Sequence, residues 1–103
     1  MSFGIRSEDI DYIIETIKNF PEVDRAMIFG SRAMGNYKKG SDIDIALIGC
    51  EVSFSTISKI KNLLQEESPM PYLFDIVDFT HSNSDALKEH IREYGIDLFC
   101  RDQ

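Results

Sequence analysis

Two aspartates stand one residue apart inside an apolar run, with Asp42, Asp44 and Ala46 alternating against Ile43, Ile45 and Leu47. That alternation is the period of a β-strand, whose successive side chains point to opposite faces. One face of the segment is apolar, and the other opens with a pair of carboxylates. Acids at i and i+2 lie roughly 6–7 Å apart at the backbone. They repel, and one pKa rises. Hard divalent cations relieve such repulsion, and Mg²⁺ prefers carboxylate and water oxygens. Two aspartates can hold two such ions about 3.5–4 Å apart, the arrangement used for in-line phosphoryl displacement. Taken alone, the same pair reads more simply as the polar face of an edge strand. What surrounds it decides.

Ile10, Ile13, Ile14 and Ile17 recur at the spacing of one helical face. Ser7 is placed to cap that helix, Glu8 and Asp9 suit its first turn, and Pro21 lies just past its end. Val23 to Phe29 reads as a strand, and 42–48 as a second. Gly35, Asn36 and Gly40 make the stretch between them a loop. Ile57, Ile60, Leu63 and Leu64 mark a second amphipathic helix, closed by Ser68-Pro69. Tyr72 to Phe79 forms a third strand. Leu87, Ile91 and Tyr94 form a third helix capped by Ser82 or Ser84 and ended near Gly95, and Ile96 to Cys100 a last strand. The tight link between the first two strands predicts an antiparallel pair. The helix between the second and third predicts a crossover. The expected fold is one α+β domain over residues 1–103, a mixed sheet flanked by helices.

Gly30-Ser31 ends the first strand. A glycine lets backbone approach a ligand closely, so the step can offer N–H groups and a hydroxyl to phosphate oxygens. Gly30 and Gly35 have the glycine spacing of a P-loop, but Asn36 and Tyr37 stand where that loop needs Lys and Ser/Thr. That reading fails. The surviving pattern is Gly30-Ser31, ten residues, then Asp42, an apolar residue and Asp44.

The segment GSRAMGNYKKGSDIDIALIG closely resembles the signature of the nucleotidyltransferases of the DNA polymerase β superfamily. The short chain points to the minimal nucleotidyltransferase (MNT) branch, many of whose members are antitoxins paired with HEPN-domain toxins. The resemblance implies a third carboxylate on a later strand. Asp75 and Asp78 are both available, three residues apart, so only one can face Asp42 and Asp44. In similar proteins the first acid of such a segment takes the role, which favours Asp75. Asp78 is then left in solvent or capping the turn to Thr80. By the same resemblance, Gly30, Ser31 and Ser41 would position a nucleoside triphosphate. Asp42, Asp44 and Asp75 would bind two Mg²⁺ ions, and Asp75 could accept the proton of an attacking hydroxyl. Arg32 is read equally as a phosphate contact or a solvated loop cation. Lys38 and Lys39 read as solvated loop, and His81 and His90 as surface or capping residues.

Larger relatives carry a further domain for the acceptor, and this chain ends at Gln103 soon after its last strand. The resemblance therefore implies a partner that completes the site, a small helical HEPN-type protein carrying the acceptor hydroxyl, with ATP as donor. The alternative is a non-catalytic nucleotide-binding module that neutralises its partner by occlusion. A formal net charge of −7 counts against a nucleic-acid acceptor, because affinity for a phosphate backbone comes from basic surface. No apolar window is long enough to span a membrane, and Met1-Ser2-Phe3 begins no signal peptide. The expectation is a cytoplasmic protein with Cys50 and Cys100 as buried, reduced thiols.

Overall fold

The computed structural model describes residues 3–38, 40–68 and 70–101. The order is α1 (Ser7–Lys18), β1 (Arg25–Phe29), α2 (Gly30–Met34), β2 (Ile43–Ile48), α3 (Phe54–Gln65), β3 (Phe74–Asp78), α4 (Asp85–Tyr94) and β4 (Ile96–Cys100). The strands form one four-stranded sheet in the order β3-β2-β1-β4. β1 is antiparallel to β2 and to β4, and β2 is parallel to β3. The mixed α+β sheet expected from the strand and helix order is what forms.

Each face of the sheet has its own core. Ala26, Ile28, Ile43, Ile45, Leu47, Phe74 and Ile76 pack with Ile13 and Ile17 of α1 and Ile60 and Leu64 of α3. On the opposite face Met27, Phe29 and Ala46 meet Ile91 of α4. The alternation along β2 is therefore the partition between a large core and a small one. The small core reaches Phe29, the residue paired with Asp44 at that end of the face.

The helices begin for identifiable reasons. Ser53 caps α3 in a capping box: its hydroxyl accepts from the Thr56 N–H while the Thr56 hydroxyl accepts from the Ser53 N–H. Ser84, not Ser82, caps α4 by accepting from the Leu87 N–H. Ser7 is the first residue inside α1, where the cap position belongs to Arg6 and makes no side-chain cap bond. α2 is an element the spacing did not predict. Five residues are too few for an amphipathic period, and glycines at both ends give the segment the composition of a loop.

One further expectation changes. Cys50 and Cys100 are free thiols but exposed, one in the turn after β2 and the other at the last position of the edge strand β4. Among the described residues no helix is long and apolar enough to cross a membrane. Met1, Ser2, Lys39 and Pro69 lie outside the described residues.

Candidate active site

The two strand pairings around β2 build a row of side chains on one face. Asp44 is opposite Phe29 in the antiparallel pairing and opposite Asp75 in the parallel one. Opposed residues in a sheet project to the same side, so Asp44 and Asp75 are neighbours. Asp42 lies one residue before β2, and its carboxylate is close enough to act on that of Asp44. The next row inward is apolar, with Ala46 opposite both Met27 and Val77. Asp44 and Asp75 thus occupy one end of a face whose remainder lies under α4.

The chain leaves β1 directly over this row. Gly30 takes φ 74°, the left-handed region that side chains rarely adopt, and a Cβ there would collide with the Asp44 carboxylate. Glycine is required twice over, by the turn and by the carboxylate. Ser31 follows, half-buried, with its carbonyl accepting from the N–H groups of Gly35 and Asn36.

The electrostatics single out Asp44. Burial, then the neighbouring Asp75 and Asp42 carboxylates, push its pKa from 3.8 up to about 6, with His90 and Arg32 opposing. Asp42 and Asp75 are exposed, so the strain of like charge concentrates on the middle acid. Hard oxygen donors on three backbone positions, with no thiolate among them, are the donor set of Mg²⁺ rather than of zinc. Among the described residues no three His, Cys, Asp or Glu side chains converge as a ready ligand cluster.

Asp78 is on the other side of β3, opposite Leu47. Its carboxylate accepts from the His81 backbone N–H at 3.1 Å and lies 2.8 Å from His81 Nδ1, so it caps the turn after the strand. Ser41 closes the loop before β2, its hydroxyl accepting from the Lys38 N–H.

Arg32 departs from the solvated loop cation that the sequence allowed. It is only 4% exposed. Its Nε and Nη2 donate to the Ser41 carbonyl at 3.1 and 2.8 Å, and its Nη1 to the Phe3 carbonyl at 2.9 Å. His90 is the neighbour that residue-by-residue reading passed over. It is half-buried on α4, edge-on to Phe29 with ring centroids 6.1 Å apart, and 5.2 Å from the Tyr94 ring. The signal was present, because His90 completes the helical spacing of Leu87, Ile91 and Tyr94. The concavities along α3 and beside Arg25, Phe79 and Arg92 include none of the three acids.

A face bearing Asp-x-Asp and a cross-strand third acid, approached by a Gly-Ser step, is the geometry expected of the resemblance noted above. Residues 11–103 match the family described as polymerase beta, nucleotidyltransferase. The chain belongs to that family. A probable protein adenylyltransferase MntA of Haemophilus influenzae is 30% identical over 90 residues, spanning 86% of this chain and 77% of the relative. The crystal structure of a toxin–antitoxin with AMP-PNP superposes with a TM-score of 0.73 at 23% identity, over 96% of this chain and 77% of that one. A tri-AMPylated HEPN toxin of Shewanella oneidensis in complex with its MNT antitoxin gives a TM-score of 0.68 at 22% identity, over 90% and 71% of the two chains. At these identities the solved structures establish the fold, which is that of the small nucleotidyltransferases. Membership makes the protein a nucleotidyltransferase, and an enzyme.

Proposed function

We propose that this nucleotidyltransferase moves a nucleoside monophosphate, AMP, from ATP to a hydroxyl of a partner protein, as the antitoxin of a cytoplasmic HEPN/MNT pair. The observation that carries the reading is the row Asp44–Asp75 beneath Gly30, with the Asp42 carboxylate close enough to act on that of Asp44. It is supported by the relative described as a probable protein adenylyltransferase and by the toxin–antitoxin complexes that share the fold.

In this reading Asp42, Asp44 and Asp75 would hold two Mg²⁺ ions, which supply charge neutralisation at the triphosphate. The raised pKa of Asp44 supports that assignment, since such a site favours any partner that removes like-charge repulsion. Gly30 and Ser31 bind the phosphates through backbone and hydroxyl. Ser41 acts at one remove, through the loop it closes. Asp75 accepts the proton of the acceptor hydroxyl. The hydroxyl oxygen bonds to the α-phosphorus as the bond to pyrophosphate breaks, and pyrophosphate leaves.

The test is incubation with labelled ATP, Mg²⁺ and the small helical protein encoded beside it. Label transferred to the partner, and none with Asp44→Asn, is the expected result. A tight complex without transfer would establish neutralisation by occlusion instead.

A further inference from the structure

We infer that Arg32 is a positioning residue that sets the distance between the acids of β2 and the acid of β3. The inference rests on the metal-binding reading of those acids. The Ser41 carbonyl belongs to the peptide that leads directly into Asp42, and Arg32 grips it with two donors. The third donor holds the Phe3 carbonyl, on chain that otherwise has no part in the site. The guanidinium also lies 5.4 Å from the centroids of both the Tyr37 and Tyr72 rings.

Tyr72 extends the grip to the other acid-bearing strand. It stands three residues before Asp75, and the adjoining Leu73 carbonyl accepts from the Ile43 N–H at 2.9 Å. The Tyr72 hydroxyl donates to Asp9 at 3.3 Å, and Asp9 also accepts from Arg6 at 3.1 Å, which ties the assembly to α1. Arg32 itself is carried by α2, two residues from Gly30. One buried cation therefore joins the helix that bears the Gly-Ser step, the entry to Asp42 and the entry to Asp75. Its planar fork matters, because a lysine ammonium is a compact point charge that lacks the rigid array of donors and the flat face set against the rings. Partners of this kind orient ligands without touching the metal, and losing one weakens metal affinity or activity by about 10–100-fold.

Mn²⁺ binding followed by electron paramagnetic resonance, without nucleotide, separates this from a phosphate contact. Expected for Arg32→Met and Arg32→Lys is a Mn²⁺ affinity lowered by about tenfold or more. Transfer at saturating MgATP should fall in step, and KM for MgATP should change little. Tyr72→Leu should shift Mn²⁺ affinity in the same direction. Ile60→Val, in the core of the opposite face, should lower Tm while leaving Mn²⁺ binding unchanged. The inference is overturned if Arg32→Lys binds Mn²⁺ as the native protein does while KM for MgATP rises. It is equally overturned if Ile60→Val shifts Mn²⁺ affinity as far as Arg32→Met. Should the native protein transfer nothing, the transferase reading fails alone, because the Mn²⁺ comparison still reports on Arg32.

Discussion

Asp44 holds its charge against burial and two like neighbours, and the consequences are measurable at single residues. Its folded pKa of about 6 exceeds the ordinary 3.8, so the fold disfavours the ionised form. The group therefore subtracts from stability above pH 6, less as pH falls through that value, and nothing below about pH 4. Asp44→Asn should raise the metal-free Tm at pH 8, and the gain should vanish near pH 4. Discounted for solvent screening, the penalty is of order 1 kcal/mol, or roughly 4–8 °C by calorimetry. Transfer activity should be lost in the same variant, since what remains cannot hold metal. Asp75→Asn should match that loss, whereas Asp78→Asn, on the opposite side of β3, should keep native transfer and lose only the turn contact with His81. Equal damage from Asp78→Asn would mean that strand alternation does not select the third acid. Gly30→Ala forces a side chain into φ 74° and into the Asp44 carboxylate. It should lower Tm by several degrees, the cost of a left-handed non-glycine residue being about 1–2 kcal/mol, and abolish transfer.

At the scale of elements, what the sequence makes legible is what periodicity controls. The four strands and three longer helices follow from apolar spacing, and the helix between β2 and β3 forces the parallel pairing that brings Asp75 beside Asp44. Alternation leaves room for only one of Asp75 and Asp78 on that face; the preference for Asp75 comes from the resemblance, and the strand register puts Asp75 opposite Asp44. Three features escape that logic. α2 is a five-residue helix between glycines, too short to show a period. Arg32 is buried by Tyr37, Tyr72 and two carbonyls that only the folded chain assembles, so nothing in its neighbours distinguishes it from a loop cation. Cys100 is apolar by type and lies on a strand, yet an edge strand leaves its last position outside. The capping box of α3 is missed for a smaller reason, since Thr56 stands where Glu or Gln is the usual signal. It offers a clean control on the opposite face from the acids. Ser53→Ala should cost about 1 kcal/mol, or roughly 4–8 °C in Tm, with transfer unchanged. A loss of transfer there would show that α3 couples to the site.

For the whole molecule the governing quantity is charge. Eighteen acids against eleven Lys and Arg leave the chain at −7. Three of those acids belong to the proposed site, and bound metal can offset them only locally. A field of that sign repels polyanions and draws a basic partner, accelerating encounter more than it tightens the complex. The proposed acceptor should therefore be a basic helical protein whose association slows as salt is raised. Screening shortens to about 8 Å near 0.15 M ionic strength, so the on-rate should fall steeply between low and physiological salt while the off-rate barely moves. The same geometry demands that the partner bring its hydroxyl over the Gly30 end of the sheet, because α4 covers the remainder of that face. The resemblance to the MNT antitoxins makes a tyrosine of the partner the proposed acceptor. Co-expression with the neighbouring gene product should give a stable heteromeric complex. After ATP and Mg²⁺ are added, intact mass spectrometry should show the partner gaining one or more AMP groups, located on tyrosine by fragmentation. The gain should disappear with Asp44→Asn although the complex still forms. A complex whose on-rate ignores salt would remove the electrostatic argument, and a mass gain on this chain instead of the partner would place the acceptor within the transferase itself.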